Sequence, residues 1–232
     1  MLNPKSPILV ISDLQIPFEH RDALSFCKYL KRHYNISDEN VLCVGDELDQ
    51  LNASMYPKNP NVPLSAVSEI ALSRDRLREW ANVFPQMKLA ISNHGIRWVK
   101  KATAAEIPET VLRSYQQIFE TPPEWIWRNE WRFTSLKHPF RMVHGQGYSG
   151  KDGHRNAALD ANISTIIGHL HSHAAVDYLE LNGGKQMWAV NTGCMIDIEA
   201  YAFEYERLNR AKPILGVTVI FKEGKMPVFH PL

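Results

Sequence analysis

Five short stretches of this chain carry side chains that can hold a cation, and they come in a fixed order. They are Asp13-Leu14-Gln15, Gly45-Asp46-Glu47-Leu48-Asp49, Ser92-Asn93-His94, His144-Gly145 and Gly168-His169-Leu170-His171. Each follows an apolar run. Asp13 and Asp46 follow runs that read as buried strands. In a parallel sheet they would be neighbours at the carboxyl ends, where the ligands of open α/β sheets collect. Two carboxylates brought together there repel each other unless a cation lies between them. One carboxylate can bridge two metals ~3.5–4 Å apart, the spacing suited to in-line attack on phosphorus. Asp46 is the candidate bridge, and Gly45 permits the tight turn and close backbone approach this needs. A lone Asp after a strand is more simply a cap or turn residue, so it is the series that points to metal.

The histidines extend the series. In an extended segment residues 169 and 171 point to the same side, and His144, His169 and His171 all close apolar runs, a plausible imidazole ligand set. His173 continues the alternation and reads as a partner supporting the ligands or, in preference, as the next exposed residue. The amide oxygen of Asn93 is a neutral ligand that suits divalent ions. His94 cannot easily face the same way. It is the candidate proton donor to a leaving oxygen, with Asp49 as the partner that holds its ring. The alternative for Asn93-His94 is a turn with an exposed imidazole.

Strands and helices must bring these pieces together. Pro7 to Ser12 and Val41 to Val44 read as buried strands joined by a helix over residues 21–34, a parallel crossover unit. Asn52 to Pro63, with three prolines, reads as a loop. A helix is expected over residues 64–82, packing through Leu64, Val67, Ile70, Ala71, Leu77 and Trp80. Met87 to Ile91 is the next strand, and a helix opened by Pro108 is expected over residues 108–119. Residues 125–136 look extended, with a turn at Arg128 to Glu130. Arg141 to Val143, Ile163 to Ile167 and Lys185 to Val190 read as strands, residues 154–161 as a short helix, and Ile214 to Phe229 as a terminal hairpin. Alternating strands and helices followed by closely spaced strands favour a layered α/β sandwich within a single domain spanning 1–232.

Composition sets bounds. A chain of 232 residues with 44% hydrophobic and 22% charged residues suits a globular protein with a deep cleft. Net charge is +1, so no strong overall field draws it to nucleic acid or membrane. Residues 97–155 hold ten Lys/Arg against six Asp/Glu, a modestly basic middle that would help an anionic substrate arrive or simply form a solvated surface. Three scattered cysteines give neither a disulfide framework nor a zinc ribbon, which suggests a reducing compartment. No run approaches the ~18–20 apolar residues of a membrane span, and the amino terminus has no secretory pattern. The expectation is a cytoplasmic protein with no membrane partner.

The ordered set resembles the calcineurin-like metallophosphoesterases, whose pattern is Asp-x-His, Gly-Asp-x-x-Asp, Gly-Asn-His-(Asp or Glu), His and Gly-His-x-His. The match runs from Asp13 to His171, and Asn191-Thr192-Gly193 resembles the family's later Asn-Pro-Gly. The resemblance implies a four-layer α/β/β/α sandwich of two mixed sheets flanked by helices. It implies one metal held by Asp13, Gln15, Asp46 and His171, and a second by Asp46, Asn93, His144 and His169. The ions would be divalent, manganese first, with magnesium, zinc, iron or nickel as alternatives. His94 would be the proton donor and Asp49 its orienting partner, in an in-line attack on phosphorus by a metal-bound hydroxide. Three residues depart from the pattern. Gln15 stands where the family has His, Ser92 where it has Gly, and Gly95 where it has an acid. Gln50-Leu51 replaces the Arg-Gly of the protein Ser/Thr phosphatases, which argues against that activity.

The expected substrate is a phosphate ester, with a diester or nucleotide ranked slightly ahead of a monoester. Two alternatives accompany it: a non-catalytic metal-binding scaffold on the same fold, supported by Gln15 and Gly95, and a nuclease acting within a nucleic-acid complex. Lys151, His154 and Arg155, after His144, are substrate contacts or ordinary loop charges. Trp98, Trp125, Trp127 and Trp131 are more often packing than base-stacking residues. Arg97, Lys100 and Lys101 read equally as backbone contacts for nucleic acid and as a solvated helix start.

Overall fold

The computed structural model describes residues 1–55, 64–200 and 210–232. Most of the expected Asn52–Pro63 loop lies outside the described residues, and its first two residues close a short 3-10 turn, Leu51–Ala53. The described elements are β1 (Ile8–Ile11), α1 (Ala23–His33), β2 (Val41–Cys43), α2 (Ala66–Val83), β3 (Met87–Ala90), α3 (Arg97–Ala104), α4 (Tyr115–Phe119), β4 (Trp125–Arg128), β5 (Trp131–Phe133), β6 (Phe140–Met142), α5 (Gly153–Ala161), β7 (Ser164–Ile167), β8 (Ala174–Leu181), β9 (Lys185–Thr192), β10 (Gly216–Phe221) and β11 (Met226–Pro231).

They form two mixed sheets. One has the order β11-β10-β1-β2-β3-β4, the other β5-β6-β7-β9-β8. In the first, β1 to β4 are parallel and the terminal hairpin β10–β11 adds on antiparallel beside β1. In the second, β6, β7 and β9 are parallel and the edges β5 and β8 antiparallel. Alternation along the strands sets the layers. Leu9, Ile11, Val41, Cys43 and Leu89 face outward onto Ala23, Cys27 and Leu30 of α1 and Leu77 and Trp80 of α2. Ile8, Val10, Leu42, Val44 and Ala90 face the other way, onto Phe140, Met142, Ile166, Trp188 and Val190 of the second sheet. Ala158 of α5 covers the far side of that sheet at Met187 and Ala189. The result is the expected α/β/β/α sandwich.

Several local expectations change. In α2, Val67 is 78% exposed and Ala71 also faces solvent, while Glu69, Ser73, Leu77 and Trp80 form the buried stripe. The helix turns inward the face whose carboxylate has work to do: Glu69 accepts from the amides of Leu51 (2.5 Å) and Asn52 (2.9 Å). Pro108 does not open an α-helix. A 3-10 turn follows it, and α4 begins only after Ser114, whose side chain forms a capping box with Gln117. The Arg128–Glu130 turn carries the chain from one sheet to the other, so β4 and β5 do not pair. Strand β8 has no counterpart among the sequence expectations. Cys27, Cys43 and Cys194 are buried. Among the described residues no helix is long and apolar enough to cross a membrane.

Candidate metal centre

Every one of the five stretches lies just past the carboxyl end of a strand: Asp13 and Gln15 after β1, Asp46 and Asp49 after β2, Asn93 and His94 after β3, His144 after β6, His169 and His171 after β7. The first three strands are adjacent and parallel in one sheet, the last two in the other. The sandwich therefore brings residues 13 to 171 to one rim.

The local backbone is bent to deliver them. Asp13, Gln15, Asp46 and His169 all have positive φ, at 50°, 51°, 49° and 69°. Side-chain-bearing residues rarely adopt this region, and each costs on the order of 1–3 kcal/mol. Such strain persists because the surroundings over-determine it. The Asp13 amide donates to Gly45 O (3.0 Å), and that of Gln15 to Asp46 O (2.8 Å), tying the two loops together. Two glycines allow the approach. A Cβ on Gly45, where φ is +109°, would lie 2.8 Å from Ser92 Cβ and 2.9 Å from Ala90 O. A Cβ on Gly168 would lie 2.0 Å from Ser12 Oγ and 2.4 Å from Asp13 Oδ2.

Two overlapping groups result. In the first, Nε2 of His171 is 3.2 Å from Asp13 Oδ1 and 3.1 Å from Gln15 Nε2. Asp13 Oδ2 accepts from Ser12 Oγ and from the amide of His169 (3.0 Å). In the second, Nε2 of His144 lies 2.7 Å from Asn93 Oδ1 and 3.4 Å from Asp46 Oδ2, and the His144 and His169 rings are 5.0 Å apart. One ligand atom each from Asp46, His144 and His169 fall within 4.8 Å of one another. The third part stands beside them. His94 Nδ1 is 2.9 Å from Asp49 Oδ1, and its Nε2 faces Asp46 Oδ2 at 3.7 Å.

The carboxylates and imidazoles of the rim set one another's charge. Burial by itself would raise the Asp13 carboxyl, but the hydrogen bond from His171 and the charges of His171 and His144 outweigh it and hold the pKa below the usual range. Burial likewise opposes ionisation of Asp46, and the charges of His144 and His94 hold it well below. Burial would lower His144, but Asp46, with Asp13 behind it, raises it to about 9. Burial and the His144 charge lower His169.

These residues fit divalent metal. Oε1 of Gln15, in a side chain only 1% exposed, has no hydrogen-bond partner, an expensive state for a buried acceptor unless something else binds it. His144 turns Nδ1 to the Val44 carbonyl at 3.1 Å, an arrangement that leaves Nε2 to ligate. Carboxylate, amide oxygen and imidazole together suit divalent ions of intermediate hardness.

Other candidates fall elsewhere. His154 is 1% exposed, with Nε2 2.9 Å from Asp177 Oδ2 of β8. His173, expected to be exposed, packs beside His154 with ring centroids 5.2 Å apart and a buried Nε2. Trp125 and Trp131 are buried, donating to the carbonyls of Phe84 and Leu89. Trp127 donates to Glu47 Oε1 at 2.9 Å, and Trp98 packs against the outer core. Two further neighbours bear on the site, one outside the sequence candidates and one read there as a nucleic-acid backbone contact or a solvated helix start. Glu47, buried and with its pKa raised by burial, also accepts from Tyr115 Oη (2.6 Å) and so anchors the Asp46 loop to α4 and β4. Arg97 is the other. Nη1 donates to Asp49 O at 2.6 Å and Nη2 to His94 Nε2 at 2.8 Å. Lys101 reaches Asn52 O, 3.0 Å away.

No protein-family model and no curated protein matches the sequence. Solved structures do align over nearly the whole chain. Vacuolar protein sorting 29 from Cryptosporidium parvum is 13% identical, with 99% of each chain covered and a TM-score of 0.48. Vps29 from Chaetomium thermophilum is 14% identical, covering 94% of this chain and 83% of that one, at 0.46. The E. coli phosphoesterase Yfce is 12% identical, covering 93% and 88%, at 0.43. Likenesses of this degree assign no function to the chain.

Proposed function

We propose that this protein is a metal-dependent phosphoesterase with a dinuclear site at the shared rim of its two sheets. The observation that carries the reading is the convergence of Asp46, His144 and His169, from both sheets, to within 4.8 Å. Asp13, Gln15, Asp46 and His171 would hold one ion, and Asp46, Asn93, His144 and His169 the other, with manganese the first choice. When bound, such a pair polarises phosphoryl oxygens and lowers the pKa of water at the site. The chain's own residues supply the rest. Asp49 fixes the His94 ring through Nδ1 and turns Nε2 toward Asp46. Once protonated there, His94 gives its proton to the departing ester oxygen. The Ser12 hydroxyl and the His169 amide donate to Asp13 and hold its carboxylate in place. The substrate is a phosphate ester, a diester or nucleotide ahead of a monoester, and the protein works in the cytoplasm.

One observation favours a second reading, a metal-binding scaffold without turnover. Nε2 of His94 accepts from Arg97 in this structure, so it carries no proton to give. One assay separates the two. Hydrolysis of bis(p-nitrophenyl) phosphate, p-nitrophenyl phosphate and single-stranded DNA is measured with manganese, magnesium, zinc or no metal. Metal-dependent release of nitrophenol supports the esterase. Metal binding with no turnover of any substrate supports the scaffold. Activity on polymer alone, falling steeply with salt, indicates a nuclease.

A further inference from the structure

Arg97 sets a permanent cation at the rim. Arg97 is the first residue of α3, three positions after His94, and its side chain is 18% exposed. The guanidinium folds back over the Asp49 loop. Nη1 donates to Asp49 O at 2.6 Å and lies 3.2 Å from Asp49 Oδ1. Nη2 donates to Nε2 of His94 at 2.8 Å. An arginine only donates. The imidazole nitrogen it meets must therefore be the acceptor, which places the ring proton on Nδ1, toward Asp49. That one nitrogen touches Arg97 and also faces Asp46 Oδ2, 3.7 Å away. The guanidinium thus borders the metal cage.

We propose that Arg97 is a phosphate-binding residue: its guanidinium takes an oxygen of the phosphoryl group and, in doing so, uncovers Nε2 of His94. The inference rests on the proposed phosphate site and adds a residue which that reading lacks. A neutral imidazole nitrogen offers the guanidinium no opposite charge, whereas an anionic phosphoryl oxygen pairs charge with charge and matches the planar fork. The exchange therefore runs downhill when phosphate arrives. Asp49 holds Nη1 throughout, so the fork pivots about that contact. The same movement answers the scaffold argument, because the donor nitrogen is covered only while the site is empty of phosphate. A lysine offers a point charge without the planar fork and replaces only part of the contact.

The test is inorganic phosphate binding to the manganese-loaded protein, followed by titration calorimetry. Wild type is compared with Arg97→Lys, Arg97→Gln, His94→Ala and the His94→Ala/Arg97→Gln double variant, with metal content and thermal midpoint measured for each. Loss of a charge-assisted bond predicts phosphate binding weakened roughly ten- to a hundredfold in Arg97→Gln at equal metal content, with Arg97→Lys in between. The loss must persist in the His94→Ala background, where a residue that merely props His94 would have no further effect. The assignment is overturned if wild type and Arg97→Gln bind phosphate alike, if the effect vanishes in the His94→Ala background, or if wild type binds no phosphate at millimolar concentration. Phosphate binding that depends on Arg97 without turnover of any ester sinks the esterase reading and leaves this one standing. Turnover with Arg97-independent phosphate binding does the reverse.

Discussion

Replacing Gly168 by Ala probes how closely the two sheets are drawn together at the rim. The added methyl would lie 2.0 Å from Ser12 Oγ and 2.4 Å from Asp13 Oδ2, where real contacts of this kind are essentially never under 3.0 Å. Neither neighbour has room to withdraw. Both residues are fully buried, the hydroxyl donates to the carboxylate, and the same carboxylate oxygen accepts from the His169 amide. Overpacking a tight core costs about 1–3 kcal/mol. A hydrogen bond to a charged group contributes about 1.5–3 kcal/mol, and at least one must break. The expected loss is therefore about 3–5 kcal/mol, a large share of the 5–15 kcal/mol typical of a folded domain. At roughly 2–4 °C per kcal/mol for a chain of this size, the metal-free thermal midpoint should fall by about 10 °C. Uptake of the ion at Asp13 and His171 should weaken as well. Gly95→Ala is the control: its Cβ would lie 3.2 Å from Ser92 Oγ and at ordinary contact distance, 3.5 and 3.6 Å, from the Ser92 O and N, and should cost under about 1 kcal/mol. A Gly168→Ala protein with an unchanged midpoint and unchanged metal uptake would refute the claimed approach of β7 to the Asp13 turn.

Four further outcomes are expected. His94→Ala should keep its metal by elemental analysis and lose about 10²–10⁴-fold in turnover, and full activity would remove its role as proton donor. Gln15→His should bind metal more tightly, since it places an imidazole where an unpartnered amide oxygen now sits, and an unchanged titration would count against Gln15 as a ligand. His144 has a folded pKa of about 9, raised from 6.5, so its contribution to the metal-free protein is fully present below pH 6.5 and is lost as pH rises through 9. Metal must displace that proton, so calorimetry in buffers of different ionisation heat at pH 7.5 should detect about one proton released from this group. Glu69→Gln should lower stability by about 1–3 kcal/mol and loosen the loop after Asp49, because Leu51 and Asn52 lose a charged acceptor, and an unchanged urea midpoint would show that the clamp contributes nothing.

Much of this arrangement was legible in the residues themselves. The short runs before Asp13 and Asp46 are apolar on both faces because both faces are covered, and such runs stand out, while those before Asn93, His144 and His169 keep enough apolar residues to be read despite Lys88, Arg141 and Thr165. Strand β8 did not stand out, since it is an edge strand of half-buried residues ending in alternating exposed positions. The packing face of α2 was misjudged because hydrophobicity alone marks a core, and here Glu69 and Ser73 occupy it. The turn at Arg128 to Glu130 is legible, yet nothing local says whether it returns the chain to the same sheet or steps it to the other. In the sequence Arg97 reads equally as a nucleic-acid backbone contact and as a solvated helix start. Its meaning depends on β2 and β3 lying side by side, which brings the Asp49 loop under α3. Long-range adjacency of this kind is a property of the folded chain.

The central claim is that Asp46 stands between two cations. Anomalous diffraction from manganese-soaked crystals, recorded at the manganese edge, measures this directly. The account predicts two peaks flanking the Asp46 carboxylate, one beside Asp13, Gln15 and His171 and the other beside Asn93, His144 and His169. A rim with no peak at saturating metal, or with ions only at residues away from Asp46, would contradict it.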